Sequence, residues 1–165
     1  METPRFHSGQ AIARSATSRH TTIRIETDHP TEFIDLTERV QAAVAASGVR
    51  AGLVNIQTLH TTTAIVVNEH EPLLLADMAA MLERLAPQDA VYRHDNVSLR
   101  TTNCVLGERP NGHSHCRALL LAMSACLNVA GGRVQLGRWQ RVFLVELDGP
   151  RTREVTVLIL GDVAE

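Results

Sequence analysis

Apolar and polar positions alternate with two different periods along the chain, and the change of period marks the elements. Ile23 and Ile25 alternate with Thr and Arg, which predicts a strand over TTIRIET (21–27); GQAIARSAT (9–17) reads as its partner across a Ser/Arg/His turn, after a flexible lead-in of residues 1–8. Beyond the turn-like Asp28-His29-Pro30, Phe33, Leu36, Val40 and Val44 recur at helical spacing until Ser47-Gly48, where glycine supplies a stop. AGLVNIQTLH (51–60) and TAIVVNE (63–69) return to strand character on either side of a polar His-Thr-Thr break. Pro72 then opens a helix through Leu74, Leu75, Met78, Met81, Leu82 and Leu85, closed by Pro87.

Residues 88–112 show weak patterning and read mostly as loop. His115 to Ala122 fits a short helix. SACLNVA (124–130) and RVQLG (133–137) read as strands joined through Gly131-Gly132, and WQRVFLVELD (139–148) and REVTVLILG (153–161) as strands joined through Asp148-Gly149-Pro150-Arg151. Strands and helices do not alternate regularly. An α+β fold with a largely antiparallel sheet or sandwich and two to three helices, one domain over 9–165, is therefore expected.

Composition narrows the chemistry. All sixteen basic residues are arginine, which excludes Schiff-base catalysis and a P-loop lysine; any phosphate must be held by Arg, backbone N–H groups or a metal. Net charge is -2 with interspersed signs and few aromatics, giving no reason to expect nucleic-acid binding. No apolar run approaches the roughly 20 residues of a membrane span, and the N-terminus lacks a signal-peptide core, so a cytoplasmic protein with no membrane partner is expected. Cys104, Cys116 and Cys126 lack a C-x-x-C pair and read as reduced core or loop thiols.

Histidines carry the candidate chemistry. In an extended segment His113 and His115 would project to one side and approach a single cation, whereas on a helix they would diverge. His60, at a strand end before Thr61 and Thr62, and His94, in an Asp/Asn-rich loop, supply further imidazoles; two histidines flanked by Asn, Gly and Ser also fit a solvated loop. Glu69 ends the strand after the threonines and fits a base or a partner to a ligand imidazole, or a solvated strand-end charge. Asp77 fits a buried partner or a surface position. Arg138, Arg151 and Arg153 offer two-point contacts to an anion, Trp139 reads better as a core anchor than as a stacking platform, and Asp148 is explained by turn chemistry alone.

The blocks HTTTAIVVNE, PLLLADM, YRHDN, NGHSHCRALL and LGRWQRVFLVELDGPRTR, in that order, resemble the YjbQ family, also described as secondary thiamine-phosphate synthase enzymes. The resemblance implies a compact α+β fold, homotrimers, and a pocket near the subunit boundary whose histidines hold a divalent metal, zinc or alternatively magnesium. It points to His60, Thr61, Glu69, Asp77, His94, His113, His115, Trp139, Gln140, Glu146 and Arg151. The implied activity joins hydroxymethylpyrimidine diphosphate to thiazole phosphate with release of pyrophosphate, so a small phosphorylated substrate is the expected partner. His60, Glu69 and Asp77 are the catalytic candidates; Thr61, Thr62, Arg138, Trp139, Gln140, Glu146 and Arg151 the substrate-binding ones; His60, His94, His113 and His115 the metal-binding ones. Metal-assisted hydrolysis and a non-catalytic metabolite-binding trimer are the competing readings.

Overall fold

The computed structural model describes residues 16–105 and 107–163, so the lead-in and most of the first expected strand lie outside it. Two antiparallel sheets pack face to face. The larger contains β1 (Ala16–Glu26), β8 (Thr152–Val163), β3 (Val49–Thr58), β5 (Ser124–Ala130) and β6 (Arg133–Val134), in that spatial order. The smaller contains β2 (Glu32–Asp35), β7 (Gln140–Glu146) and β4 (Thr63–Glu69). Among the described residues three helices complete the fold: α1 (Thr37–Ser47), α2 (Pro72–Leu85) and α3 (Gly112–Leu119), with a 3-10 turn at Arg93–Asp95. This is the expected α+β class.

Period-two alternation explains the layering. On β7, Val142 and Leu144 enter the main core between the sheets, with Val54, Ile56, Val155, Val157 and Ile159 opposite. Val145 and Leu147 point the other way, into a smaller core with Leu82 of α2 and Ala118 of α3. The central strand is thus apolar on both faces, as a strand covered on both sides must be. Leu36, Val40 and Val44 bring α1 into the main core at full burial.

Several elements differ from expectation, among them the strand expected over 133–137, which shortens to Arg133–Val134 as β6. The Ser18-Arg19-His20 turn does not exist: β1 runs straight through it, paired with β8 from Ala16↔Asp162 to Glu26↔Thr152. Those residues are polar because an edge strand can leave its side chains in water. The helix expected from Phe33 starts at Thr37, because Glu32–Asp35 pair with Phe143–Glu146 as β2.

Candidate functional site

At one end of the molecule, the β3–β4 and β7–β8 connections converge with the 3-10 turn and the start of α3. Between them lies a pocket of about 450 Å³ lined by His60, Thr61, Thr62, His94, Arg100, Glu108, Asn111, His115, Asp148, Arg151 and Arg153, among others.

The floor is an ion pair. Arg153 donates Nε and Nη2 to the two Glu146 carboxylate oxygens, each at 2.6 Å, and Nη2 also to Thr62 Oγ1 at 3.0 Å. Glu146 is fully buried and additionally accepts the Leu147 and Asp148 N–H groups and the Thr27 hydroxyl. Burial alone would raise its pKa, but the Arg153 guanidinium and these donors hold it below the ordinary carboxylate value. Glu146 does not line the pocket; it fixes Arg153 and the β7–β8 turn beneath it.

His60 stands on one wall. Its Nε2 accepts the Glu154 backbone N–H at 3.0 Å, so the neutral ring carries its proton on Nδ1. Burial and the Arg153 charge lower its pKa, keeping it neutral. On the opposite wall the His94 and His115 rings meet edge to face, 4.7 Å between centroids. Burial and the neighbouring His94 lower the His115 pKa. His94 Nε2 is buried without a hydrogen-bond partner, and so is Asn111 Oδ1. Asp148 is 7 % exposed and accepts Asn111 Nδ2 at 3.0 Å and Arg151 Nη2 at 2.8 Å, a larger role than that of a turn residue.

His113 leaves this group. The segment expected to be extended is helical from Gly112, one turn earlier than the sequence pattern suggests, and the two imidazoles diverge. His113 is buried with Nε2 3.0 Å from Ser114 Oγ, while the Ser114 hydroxyl bonds to the Leu147 carbonyl.

Glu69, Arg138, Trp139 and Gln140 line a separate concavity of about 920 Å³ together with Arg133, His70 and Arg141. It lies at the far end of β4 and β7, where Glu69 pairs with Gln140, whereas Thr63 pairs with Glu146 at the histidine end. At about 3.3 Å per residue, seven-residue β4 separates Glu69 from the His60 side by roughly 20 Å, so within one chain Glu69 cannot act on that pocket. Trp139 is 60 % exposed, with the Arg138 guanidinium 4.6 Å from its ring centroid, and is not a core anchor. Asp77 is exposed on α2 and lines neither concavity. The three cysteines are exposed free thiols, not core residues.

Among the described residues, no three His, Cys, Asp or Glu side chains cluster closely enough to hold an ion. The paired His94 and His115 rings and the orphaned His94 Nε2 nevertheless fit a cation that accepts nitrogen donors. Arg100, Glu108 and Asn111 were not among the residues read from sequence as site candidates. Only Asn111 carried a signal, four residues before His115 and so on the same side of a helix start.

Fold and pocket together define an α+β protein with an arginine- and histidine-lined cleft at one end of two packed antiparallel sheets. The chain belongs to the YjbQ-like UPF0047 family, whose model matches residues 21–162. A UPF0047 protein of Methanothermobacter thermautotrophicus is 39 % identical over 83 % of this chain and 88 % of its own length, and one of Archaeoglobus fulgidus 38 % identical over 84 % and 98 %. The crystal structure of a YbjQ-like protein of unknown function from Sulfolobus solfataricus superposes with a TM-score of 0.81 at 32 % identity, covering 90 % of this chain and all of the other.

Proposed function

We propose that the histidine-end pocket is the active site of a metal-assisted enzyme acting on a small phosphorylated substrate. The reaction proposed for it is thiamine-phosphate formation, in which the diphosphate of hydroxymethylpyrimidine diphosphate leaves as thiazole phosphate attacks. One observation supports this reading above others: a single cleft joins neutral imidazoles to guanidinium groups, a combination suited to phosphate rather than to a neutral substrate.

Arg151 spends Nε and Nη2 on Asp148, which orients its remaining edge at the cleft as a phosphate donor. Arg100 is braced by Glu108 at 2.5 Å and adds positive charge on the facing loop. The Thr61 hydroxyl is exposed beside them, and His60 presents Nδ1–H to an anionic oxygen. A divalent ion on the His94 and His115 side, zinc by preference for imidazole, would add Lewis-acid stabilisation of the leaving diphosphate. Arg153 stays committed to Glu146 and acts through wall shape and field.

Purified protein should form thiamine phosphate from the two phosphorylated precursors, and His60→Ala and His115→Ala should each lower that rate. Undiminished product in both variants would remove the pocket from the reaction; tight binding of pyrophosphate with no turnover would favour a metabolite-binding protein, and turnover of phosphate esters instead a hydrolase.

We also propose a homotrimer. Support comes from α2, in which Leu82 is the one buried residue while Leu73 and Leu85 are 76 % and 61 % exposed. Light scattering should then give three times the 18.1 kDa chain mass, and a monomer mass would end that proposal. A cytoplasmic location completes the reading; no described helix is long and apolar enough to cross a membrane.

A further inference from the structure

We infer that Asn111 supplies an oxygen ligand to the cation, completing a site with His94 and His115, and that His60 lies outside this set as a hydrogen-bond donor. The inference rests on the metal-assisted reading of the same pocket and assigns its ligands.

Asn111 occupies the N-cap of α3, where an asparagine oxygen ordinarily accepts a backbone N–H from the first helical turn. It makes no such bond. Asp95 does the work instead: its Oδ1 accepts the Asn111 N–H at 2.9 Å and the Gly112 N–H at 2.8 Å. The Asn111 amide is turned by Asp148, which accepts Nδ2 at 3.0 Å; a carboxylate can only accept, so this bond fixes which end of the amide is oxygen. Oδ1 is left buried and unpartnered in a residue only 5 % exposed. A buried acceptor without a partner is costly, and a native fold keeps one where something else fills the gap.

Three features bring this oxygen to the imidazoles. Asn111 and His115 are four residues apart at a helix start, hence on one side, with the His115 N–H bonded to the Asn111 carbonyl. Asp95 follows His94 directly, so its clamp on Asn111 and Gly112 carries His94 against α3. His94 Nε2 is likewise buried and unpartnered, and its ring meets His115. Two imidazoles and an amide oxygen form an uncharged set for a divalent ion, with open positions left for a phosphate oxygen or water. Asp148 then acts as the outer partner that aims the ligand. His60 does not join this set, because its Nε2 lone pair is taken by the Glu154 N–H and Nδ1 bears the proton.

Zinc and cobalt(II) titrations of chelator-treated full-length protein test this. Wild type should bind one ion per chain, Asn111→Ala should bind it about 10-fold or more weakly, and His60→Ala should bind it unchanged. Asn111→Asp keeps an oxygen at the position; its second oxygen faces Asp148 where Nδ2 donated, so the two acids share a proton there, and binding should be retained with a shifted cobalt absorption spectrum because a carboxyl oxygen replaces the amide. Wild-type affinity in Asn111→Ala, or an unshifted cobalt spectrum in Asn111→Asp, would overturn the Asn111 assignment and leave the metal reading intact. Loss of binding in His60→Ala would overturn the exclusion of His60. Absence of any ion in wild type would remove the metal itself. Thermal melts of the metal-free variants check that each is folded, and Asn111→Asp decides the matter should Asn111→Ala not fold.

Discussion

Glu146→Ala is expected to destabilise the protein by about 3–5 kcal/mol, because it strands the Arg153 guanidinium in a site that is almost dry. Against a typical total of roughly 5–15 kcal/mol, that is a large share of the stability. The loss reaches beyond the ion pair, since Glu146 also accepts the Leu147 and Asp148 N–H groups and the Thr27 hydroxyl. For this reason the Glu146→Leu/Arg153→Met double variant should recover only part of the loss: it removes the stranded charge but leaves the Asp148 N–H without its acceptor, while the Leu147 N–H keeps the Thr62 carbonyl and the Thr27 hydroxyl the Arg151 carbonyl. Urea unfolding of the two variants measures both effects. A Glu146→Ala protein as stable as wild type would show that the pair contributes no more than a surface bridge.

The same carboxylate sets an acid limit. Its folded pKa lies below its ordinary value of 4.5, so the unfolded chain takes up the proton first. The stabilisation is therefore complete above pH 4.5 and is lost as pH falls through the lowered folded value. Wild-type unfolding free energy should fall on acidification within that window, and Glu146→Gln should flatten this part of the profile.

How much of this was legible in the chain depends on whether the cause was local. β4 is TAIVVNE from end to end, because a short run of apolar, mostly β-branched residues between polar ends is written in consecutive residues. Pro72 marked the start of α2 for an equally local reason, its fixed backbone angle and missing N–H. Phe33 misled because 33, 36, 40 and 44 satisfy a helical period, yet the partner that makes 32–35 a strand is β7, more than a hundred residues away. In the site, His60, Thr62, His94, His115 and Arg151 were visible by residue type and do meet. Glu69, Trp139 and Gln140 share motifs with them along the sequence but sit a strand length away, since adjacency in a motif says nothing about which end of a strand a side chain occupies. Asn111 was hidden differently. Its type and place are those of an ordinary helix cap, and only in the folded chain does Asp95 do that work and leave the amide oxygen over.

That clamp makes Gly112 the position where one methyl group should cost the most function. A Cβ there would lie 2.4 Å from Tyr92 Cβ and 2.7 Å from Tyr92 Cγ, distances no packed side chain tolerates. Tyr92 cannot easily swing aside, because its hydroxyl donates to the Pro87 carbonyl at 2.8 Å. Alanine is otherwise the better helix former, so the conflict is one of space alone. Gly112→Ala should push the 92–95 segment off α3, break the Asp95 bonds to the Asn111 and Gly112 N–H groups, and part His94 from His115. The expected stability loss is about 1–3 kcal/mol, the usual cost of overpacking, since both sheets and the main core lie elsewhere. Ion and pyrophosphate binding should weaken by about 10-fold or more, as when the support around a metal ligand is removed. Calorimetric titration beside a thermal melt separates the two effects. A cooperative melt with binding lost would show that the 3-10 turn assembles the site, whereas wild-type binding in this variant would mean that His94 needs no such contact to reach its place.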